Sequence, residues 1–443
     1  MHEEIYSLLR EPGRAALRQK LDGMNIVDIA DLFLELDRQD VIIVFRMLQK
    51  DKAAEVFAFL DPDVQQGIIE AITDREIGSI IDELFLDDAI DFIEEMPSNV
   101  VKRVLLNVKP DTRALINQFL KYPEDSAGSI MTIEYVNLNG DMTVTDAFLH
   151  IRETGMNKET IYTCYVTDRE RKLIGVVSAK TLFLSKKEAL ISDVMDPNVI
   201  SAHTHDDQES LMNSIRRYGF IAMPVVDKEN RLVGIVTFDD ALLVQEEEAT
   251  EDFEKMAAMS PSEDAYLKTS IFTLSKNRIP WLLFLNVTAI LTGFIVERFE
   301  NSLIVLPVLA TFIPMLMDTG GNAGSQSSTL VIRGMAVNEI GQQDILQVMW
   351  KEVRVAMVSG GILVLVNFMR VMLFGYDFFL ALTVSLTLFG TILVAKATGA
   401  LLPFAARAIK LDPAMMAAPL ITTIVDAIVL LMYFSLASMI LHI

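Results

Sequence analysis

Two acidic residues, Asp318 and Asp426, lie deep within the long apolar stretches of residues 276–443. A carboxylate surrounded by hydrocarbon is strongly unfavourable unless it faces water, a partner charge or an ion. Carboxylate oxygens are the ligands that hard divalent cations prefer. We therefore interpret the two residues as parts of a membrane path for a positive ion.

Asp318 belongs to the segment PMLMDTGGNAGSQSSTLVIRG, residues 314–334. Asp318, Asn322 and Gln326 are four residues apart, so a helix places them on one face. Glycines weaken a helix by ~1 kcal/mol each relative to alanine, and three follow Asp318: Gly320, Gly321 and Gly324. Loosened backbone at membrane depth is tolerated where it lines a water-filled cavity or is buried in protein. The segment predicts a pore-lining helix. Close packing through small residues explains the glycines but not the polar stripe.

Asp426 belongs to the segment DPAMMAAPLITTIVDAIVLLMYF, residues 412–434. It stands 13 residues after Pro413, which is ~20 Å of helix rise. Asp318 stands 16 residues into a stretch that enters from the opposite side, so both carboxylates are expected near the bilayer midplane. A salt bridge between Asp426 and Lys396 is the alternative, because Lys396 is the intramembrane cation deep enough to reach it.

Five apolar stretches are long enough to cross a bilayer, which needs ~20 apolar residues. They cover residues 279–298, 302–332, 352–374, 378–405 and 413–441. With the N-terminal end inside, seven Lys and Arg residues flank the spans on the cytosolic side and two on the outer side. This distribution obeys the positive-inside rule. We expect a multi-pass protein of the plasma or inner membrane, with cytoplasmic N-terminal domains and an external C-terminus.

The acidity of the chain is confined to its first 275 residues. They carry 28 Lys and Arg against 51 Asp and Glu, a net charge of -23, whereas residues 276–443 carry 10 against 9. Such a surface argues against nucleic acid as a partner and favours cations, although a solvated surface is the plainer explanation. The single cysteine, Cys164, excludes an intramolecular disulfide and agrees with a reducing compartment.

Two internal repeats organise this acidic part. Eight apolar residues recur every 12 positions: Leu36, Leu48, Leu60, Ile72, Leu84, Met96, Val108 and Leu120. This period predicts a right-handed superhelix of short helices. In the second repeat, the segment CYVTDRERKLIGVVSAKTLF (164–183) is similar to PVVDKENRLVGIVTFDDALL (224–243). The second segment starts 60 residues after the first, and their shared glycines are 59 residues apart.

The second repeat resembles a tandem pair of CBS domains, a module that senses nucleotides. In that module, a hydroxyl and an Asp at the end of the last strand often hold the ribose of an adenine nucleotide. Thr237 and Asp240 match those positions in the second copy, whereas the first copy has Ser178 and Thr181. The resemblance implies a site for ATP or another adenine nucleotide. A helix cap formed by Asp240 is the alternative.

The remaining features are weaker. His203 and His205 precede Asp206, Asp207 and Glu209, which could form a metal site but more simply form a surface turn and helix cap. The chain shows no nucleophile motif, so we do not expect an enzyme.

The order of these parts resembles the MgtE magnesium channel-transporters. The resemblance covers essentially the whole chain and is strongest in PMLMDTGGNAGSQSS and LDPAMMAAPLITTIVD. It implies a five-helix α-helical membrane protein preceded by a cytosolic α-superhelical domain and a tandem α/β CBS pair. The expected domains are residues 1–127 (superhelix), 128–190 and 191–244 (CBS copies), 245–275 (acidic connecting, or plug, helix) and 276–443 (pore domain).

The resemblance also implies a homodimer with one central pore for Mg²⁺. Asp426 falls on the selectivity aspartate of the family, which holds a hydrated ion. Gly320, Gly321, Asn322 and Gly324 fall where the hydration shell is contacted, and Asp318 is added as a pore candidate from its position. Magnesium releases water reluctantly, so binding through its waters by few carboxylates is chemically sensible.

In the same family, cytosolic Mg²⁺ bound between acidic domains closes the pore. The matching regulatory candidates are Asp207, Glu209, Asp240, Glu248, Glu251, Asp252 and Asp412, with Asp91 and Glu95 as further contributors from the acidic stretch Asp87–Glu95. Bare carboxylates repel and bridged ones attract, which makes the arrangement a ligand-biased switch.

The sequence thus predicts a magnesium channel or transporter driven by the electrochemical gradient. Two alternatives stay open. The preferred ion could be cobalt, manganese or calcium, or the protein could be a membrane-anchored nucleotide or ion sensor that does not conduct. A chloride channel is disfavoured because the deep residues are acidic.

Overall fold

A computed structural model describes residues 5, 8–9, 15–262, 266–267, 269–416 and 418–442. The chain divides into two compact units, Met1–Gln245 and Glu246–Ile443.

The first unit begins with a stack of short helices. Their bounds are α1 Ala15–Asp22, α2 Ile26–Glu35, α3 Arg38–Phe45, α4 Lys50–Ala58, α5 Pro62–Ala71, α6 Asp74–Ile81, α7 Leu86–Glu94, α8 Ser98–Asn107 and α9 Pro110–Phe119. From α2 onward one helix occurs in each 12-residue repeat. The repeating apolar residue lies where each helix ends, and six of the eight are buried while Leu84 and Leu120 pack against the core. The predicted helical repeat is confirmed, because each 12-residue repeat contains one helix and its repeating apolar residue is buried in the core or packs against it.

Two α/β subdomains complete the first unit. The elements of the first are β1 Tyr135–Asn139, α10 Val144–Thr154, β2 Thr160–Thr167, β3 Leu173–Ser178, α11 Ala179–Leu184 and α12 Ile191–Val194. Those of the second are β4 Ala202–His203, α13 Gln208–Tyr218, β5 Ala222–Val226 and β6 Leu232–Thr237. In each sheet the first strand pairs parallel with the second, and the second pairs antiparallel with the third. The duplication seen in the sequence is therefore a duplicated fold.

Helix α14, Phe238–Met256, follows β6 directly and carries the acidic run. The expected connecting helix of residues 245–275 is thus the second half of a longer helix, and it ends at Met256. Among the described residues after Met256, the next helix begins at Ile271.

The second unit is helical. Its long helices are α15 Ile271–Arg298, α17 Ile313–Ala336, α18 Ile345–Leu373, α19 Phe378–Ala408 and α20 Ala418–Leu441, and a short helix, α16 Glu300–Val305, precedes α17. Four helical segments within the described residues are long and apolar enough to cross a membrane: Ile271–Arg298, Gln342–Leu373, Phe378–Ala408 and Pro413–Leu441.

The second predicted span differs from its expected form. Residues 302–332 are not one helix, because α16 ends at Val305 and a 3-10 turn, Pro307–Phe312, precedes α17. Pro307 lacks an N–H and disfavours helical backbone before it, which explains the break. Asp318 consequently lies five residues into α17, not 16 into a long span.

The third span also starts earlier than expected. Helix α18 begins at Ile345, so Glu352 is not at its end but seven residues inside it, and it is only 9% exposed. The expectation that Asp318 and Asp426 are the two deep acidic residues of the membrane part therefore leaves out a third, Glu352. The adjacent charges Lys351 and Glu352 set the predicted edge of the span, although the helix extends back to Ile345.

Candidate functional site

The polar side of α17 is an uncovered stripe. Asp318, Asn322, Gln326 and Thr329 are all exposed within this chain, and their spacing of four, four and three residues places them on one helix face. A carboxylate and two amides are strongly unfavourable in contact with lipid. The stripe therefore needs water, an ion path or a second protein surface.

The opposite side of α17 is made of small buried residues that allow close helix contact. A Cβ added at Gly321 would lie 2.7 Å from Cγ2 of Thr422, and one added at Gly324 would lie 2.6 Å from Cγ2 of Ile421. A Cβ added at Gly320 would lie 2.9 Å from Cγ1 of Val425. These three glycines explain why α17 and α20 pack tightly. The predicted loosening of the helix is wrong, since α17 is continuously α-helical across all three.

Asp426 projects from α20 beside this contact. Its Oδ1 is buried, and no donor among the residues described by the structure reaches it. Because the neighbouring Val425 lies against Gly320, Asp426 and Asp318 have similar heights along the packed helices. A buried carboxylate oxygen without a donor carries a desolvation cost that a bound cation or its water would remove.

Lys396 does not pair with Asp426. Its Nζ lies 3.8 Å from Oε2 of Glu352 and 3.4 Å from Oγ of Ser327, and the Ser327 hydroxyl donates to Glu352 at 2.6 Å. The alternative of an Asp426–Lys396 salt bridge is therefore wrong. Glu352 is a charged membrane residue that the sequence analysis missed, although a Lys in an apolar span was a signal that a partner acid exists.

Acidic residues of the second half of α14 and of the segment before α20 form ion pairs with a lysine of α14. Lys255 Nζ lies 2.7 Å from Oδ2 of Asp412 and 2.5 Å from Oε1 of Glu251. Burial lowers the pKa of Lys255, but its hydrogen bonds to Asp412 and Glu251 outweigh burial and raise the pKa. Two of the predicted regulatory residues thus share a protein cation, while Glu248 and Asp252 are half-buried on the same helix.

A second acidic group forms inside the first unit, where α7 approaches the α/β subdomains. We call it the carboxylate cluster; its members are Asp87, Asp88, Glu134, Glu159, Asp239 and Asp240. Oδ1 of Asp87 and Oε2 of Glu159 are buried and have no hydrogen-bond partner among the residues that the structure describes. Five of these six were absent from the residues predicted individually, because they come from four separate segments of the chain.

Burial and mutual repulsion shift the titration of this cluster. Burial, with repulsion from Asp240 and Asp239, raises the pKa of Asp88 to about 6. Burial, with repulsion from Asp240 and Asp88, raises the pKa of Glu159 to about 7. The pKa of Asp87 also lies well above its ordinary value, chiefly through burial. The cluster therefore favours either protons or a cation.

The cluster is not a preassembled metal site. Within the described part of the chain, no three His, Cys, Asp or Glu side chains have an arrangement that could hold a metal ion directly. Binding through the water shell of Mg²⁺ needs no such convergence.

The other predicted regulatory residues lie elsewhere. Asp207 caps α13 by accepting from the Ser210 N–H at 3.2 Å, and Glu209 is in the first turn of that helix. Asp206 accepts from the His203 N–H at 2.7 Å. The His pair thus belongs to a turn and cap. Asp91 and Glu95 are exposed on or just after α7, whereas Asp87 is buried.

The predicted nucleotide residues make a local cap. Asp240 Oδ2 accepts from Oγ1 of Thr237 at 2.5 Å and from its N–H at 3.3 Å. This is the capping arrangement named as the alternative, and it links Thr237 to the carboxylate cluster.

Sequence comparisons match three parts of the chain to described families. Residues 24–125 match the MgtE intracellular N domain, residues 127–186 and 191–247 match CBS domains, and residues 313–436 match the MgtE divalent cation transporter domain. The magnesium transporter MgtE of Thermus thermophilus is 35% identical over 441 residues, covering 99% of this chain and 98% of that protein. The magnesium transporter MgtE of Bacillus subtilis is 31% identical, covering 99% and 97%.

Solved structures resemble the first part of the chain. The cytosolic domain of the Mg²⁺ channel MgtE in complex with ATP is 34% identical, with a TM-score of 0.53, and covers 55% of this chain and 100% of its own. The soluble part of a magnesium transporter is 29% identical, with the same TM-score of 0.53, and covers 56% and 100%.

Proposed function

Because this chain belongs to the MgtE family of magnesium transporters, we propose that it carries Mg²⁺ across a membrane along the path that Asp426 marks. The carrying observation is the buried Oδ1 of Asp426, which no described donor satisfies, at the height of the polar stripe on α17. A dication gains about 4.6 kcal/mol per 100 mV of membrane potential, twice the single-charge value, so the gradient can drive uptake unaided.

We propose that two copies assemble around the stripe. In one copy Asp318, Asn322 and Gln326 are exposed, and a two-fold axis beside α17 and α20 would turn them towards a shared aqueous path. In this arrangement α17 is a fifth helix that crosses the membrane, and its exposed face is polar because it faces water. With the N-terminal units in the cytosol, five crossings place the C-terminus outside. Gly320, Gly321 and Gly324 serve this path by letting α20 bring Asp426 close to α17.

We propose that cytosolic Mg²⁺ closes the ion path by binding to the acidic residues of the first unit. The carboxylate cluster joins α7 to both α/β subdomains, so a divalent ion there favours a compact first unit. Without the ion, the carboxylates repel and favour separation. Such an equilibrium responds to Mg²⁺ because the two states differ in affinity for it.

The raised pKa values predict how pH acts on this equilibrium. For Asp88 and Glu159 the folded pKa exceeds the unfolded one, so the folded state binds more protons and loses stability as pH rises towards about 7. In EDTA, the hydrogen-exchange protection factors of Leu86–Glu94 in the full chain, which are corrected for the intrinsic pH dependence of exchange, should fall between pH 5 and pH 8. Added Mg²⁺ should raise them at pH 8.

The paired variant Asp88→Asn/Glu159→Gln should flatten this pH dependence. Asp31→Asn, which alters an exposed carboxylate on α2, is the matched control and should leave it unchanged. Protection factors that are independent of both pH and Mg²⁺ in the parent protein would contradict the sensor role of the cluster.

The Lys255 contact predicts a second effect. In the absence of Mg²⁺, Lys255 neutralises Glu251 and Asp412 and ties α14 to the loop before α20. Lys255→Gln leaves those carboxylates facing one another, so flux at low internal Mg²⁺ should rise severalfold while high Mg²⁺ still inhibits. Flux into liposomes at stepped internal Mg²⁺ measures this.

Lys351→Gln removes an exposed lysine of α18 and is the control, with an unchanged dose–response expected. An identical response of the Lys255 variant and this control would show that the ion pair does not hold the closed form.

We also propose that the paired CBS domains bind ATP or a related adenine nucleotide with Thr237 and Asp240 contacting the ribose. Similarity to a cytosolic domain whose structure contains ATP supports this proposal. Titration of the protein with ATP, alone and with Mg²⁺, tests it.

A flux measurement in liposomes decides among the transport alternatives. Mg²⁺ should enter and should outcompete Co²⁺, Mn²⁺ and Ca²⁺ at equal concentration. Preferential entry of another dication would change the substrate. No flux of any dication would leave a sensor as the function.

A further inference from the structure

The buried side of α17 is attached to a buried ion pair. Ser327, 1% exposed, places its hydroxyl between Glu352 of α18 and Lys396 of α19. The side chains of Lys396 and Glu352 are only 8% and 12% exposed. Three helices therefore meet at one polar group within an apolar region.

This ion pair does not line the polar stripe. Ser327 faces away from the stripe, whose nearest member, Gln326, is exposed. Lys396 and Glu352 thus lie behind α17 and do not contact an ion on its exposed face. They can act on the stripe only by holding the helix.

Stability alone is a poor reason for such a pair. Replacing a buried ion pair by apolar side chains of similar size is often neutral or stabilising. Charges inside a membrane span generally have a function. The pair supplies directional bonds that fix which side of α17 points inwards.

The neighbouring glycine contact between α17 and α19 lacks that directionality, and the Ser328 hydroxyl of α17 donates to the Met416 carbonyl outside α18 and α19. Gly399 of α19 faces the backbone of Gly324 so closely that an added Cβ would lie 2.1 Å from the Gly324 carbonyl oxygen. Contacts between glycines bring helices together but have no side chain to resist rotation or sliding. Three residues further on, Ser327 has polar bonds to two other helices.

We propose that Lys396 and Glu352 are positioning residues that, through Ser327, lock the rotation of α17 so that Asp318, Asn322 and Gln326 face the ion path. This inference rests on the proposed function for the meaning of the stripe. The rotation itself is measurable without transport.

Thiol labelling of the full-length protein in liposomes tests the rotation. In a Cys164→Ala background, Asn322→Cys reports the exposed side of α17 and Ala323→Cys reports the buried side. A water-soluble maleimide should label Asn322→Cys several times faster than Ala323→Cys. The ratio of the two rates should fall towards one in Lys396→Met/Glu352→Leu, where the ion pair becomes apolar.

The swapped pair Lys396→Glu/Glu352→Lys should restore the labelling ratio, because it keeps opposite charges behind α17. A control, Ser385→Ala, removes the buried α18–α19 hydrogen bond of 3.2 Å from Asn367 but keeps the Asn367 side chain and its bond to Arg370, and should leave the ratio unchanged. In the apolar pair, discrimination of Mg²⁺ over Ca²⁺ in flux should also fall, by about tenfold.

If the Lys396→Met/Glu352→Leu variant has the same labelling ratio as the parent protein, the inference is wrong, even where flux is altered. A control variant that lowers the ratio as much as the apolar pair does would overturn it too. If the parent carries no Mg²⁺ but its labelling ratio depends on the ion pair, the proposed function fails while the positioning role stands.

Discussion

Replacing Asp426 by Asn should abolish Mg²⁺ uptake while leaving the protein folded. Asparagine has nearly the same shape but no charge, and two copies on an axis would both lose the attraction to the dication. A loss of about 3 kcal/mol of interaction corresponds to a roughly 100-fold decrease in occupancy. Uptake into liposomes, followed with an internal Mg²⁺ dye, measures the effect.

Folding should survive because Oδ1 of Asp426 has no hydrogen-bond donor to lose among the described residues. Size-exclusion chromatography and thermal unfolding of the purified protein check this. Glu297→Gln changes an exposed carboxylate near the end of α15 and is the matched control, with normal uptake expected. Undiminished uptake by the Asp426 variant would remove the basis of the proposed pore.

Deleting residues 1–250 should leave a membrane part that conducts but no longer closes at high internal Mg²⁺. The deletion removes the carboxylate cluster and the first half of α14, and with them the groups that we propose give the closed state its affinity for the ion. Shifting a two-state equilibrium from 1:99 to 99:1 requires about a 10⁴-fold difference in affinity. Several carboxylates that bind the ion together can provide this difference in affinity, whereas a single exposed ion pair contributes too little free energy.

The measurement is flux at low and at millimolar internal Mg²⁺, for the parent and the deletion. The full-length variant Asp88→Asn/Glu159→Gln/Asp240→Asn should lie between them, since it weakens one binding region and keeps every helix. A truncated protein that still closes at high Mg²⁺ would place the sensor in the membrane unit.

Much of the fold was predictable because its determinants are local and periodic. The 12-residue spacing of apolar residues from Leu36 to Leu120 predicted one helix per repeat, and each repeat contains one. The matched Gly175 and Gly234 predicted the duplicated sheet, and both lie in the third strand of their copy. The spacing of Asp318, Asn322 and Gln326 predicted a shared helix face, which is exposed.

The errors have physical causes as well. Hydropathy averages over a window, so it joined α16 to α17 across Pro307. It also placed Glu352 at the edge of the third span, although α18 begins at Ile345 and buries Glu352 inside it. Glycine content predicted a loosened backbone, but tight contacts with α19 and α20 stabilise the helix more than its intrinsic preference weakens it.

The sequence alone determined that Asp318, Asp426 and Lys396 are anomalous, because a carboxylate or lysine in an apolar run is unfavourable in any fold. It also determined the repeats and the positions of the long apolar helices. Only the tertiary structure decided the partners: Lys396 with Glu352, Lys255 with Asp412, and Asp88 near Asp240 and Glu159. Electrostatic pairing depends on distances between segments far apart in the chain, and no local pattern contains those distances.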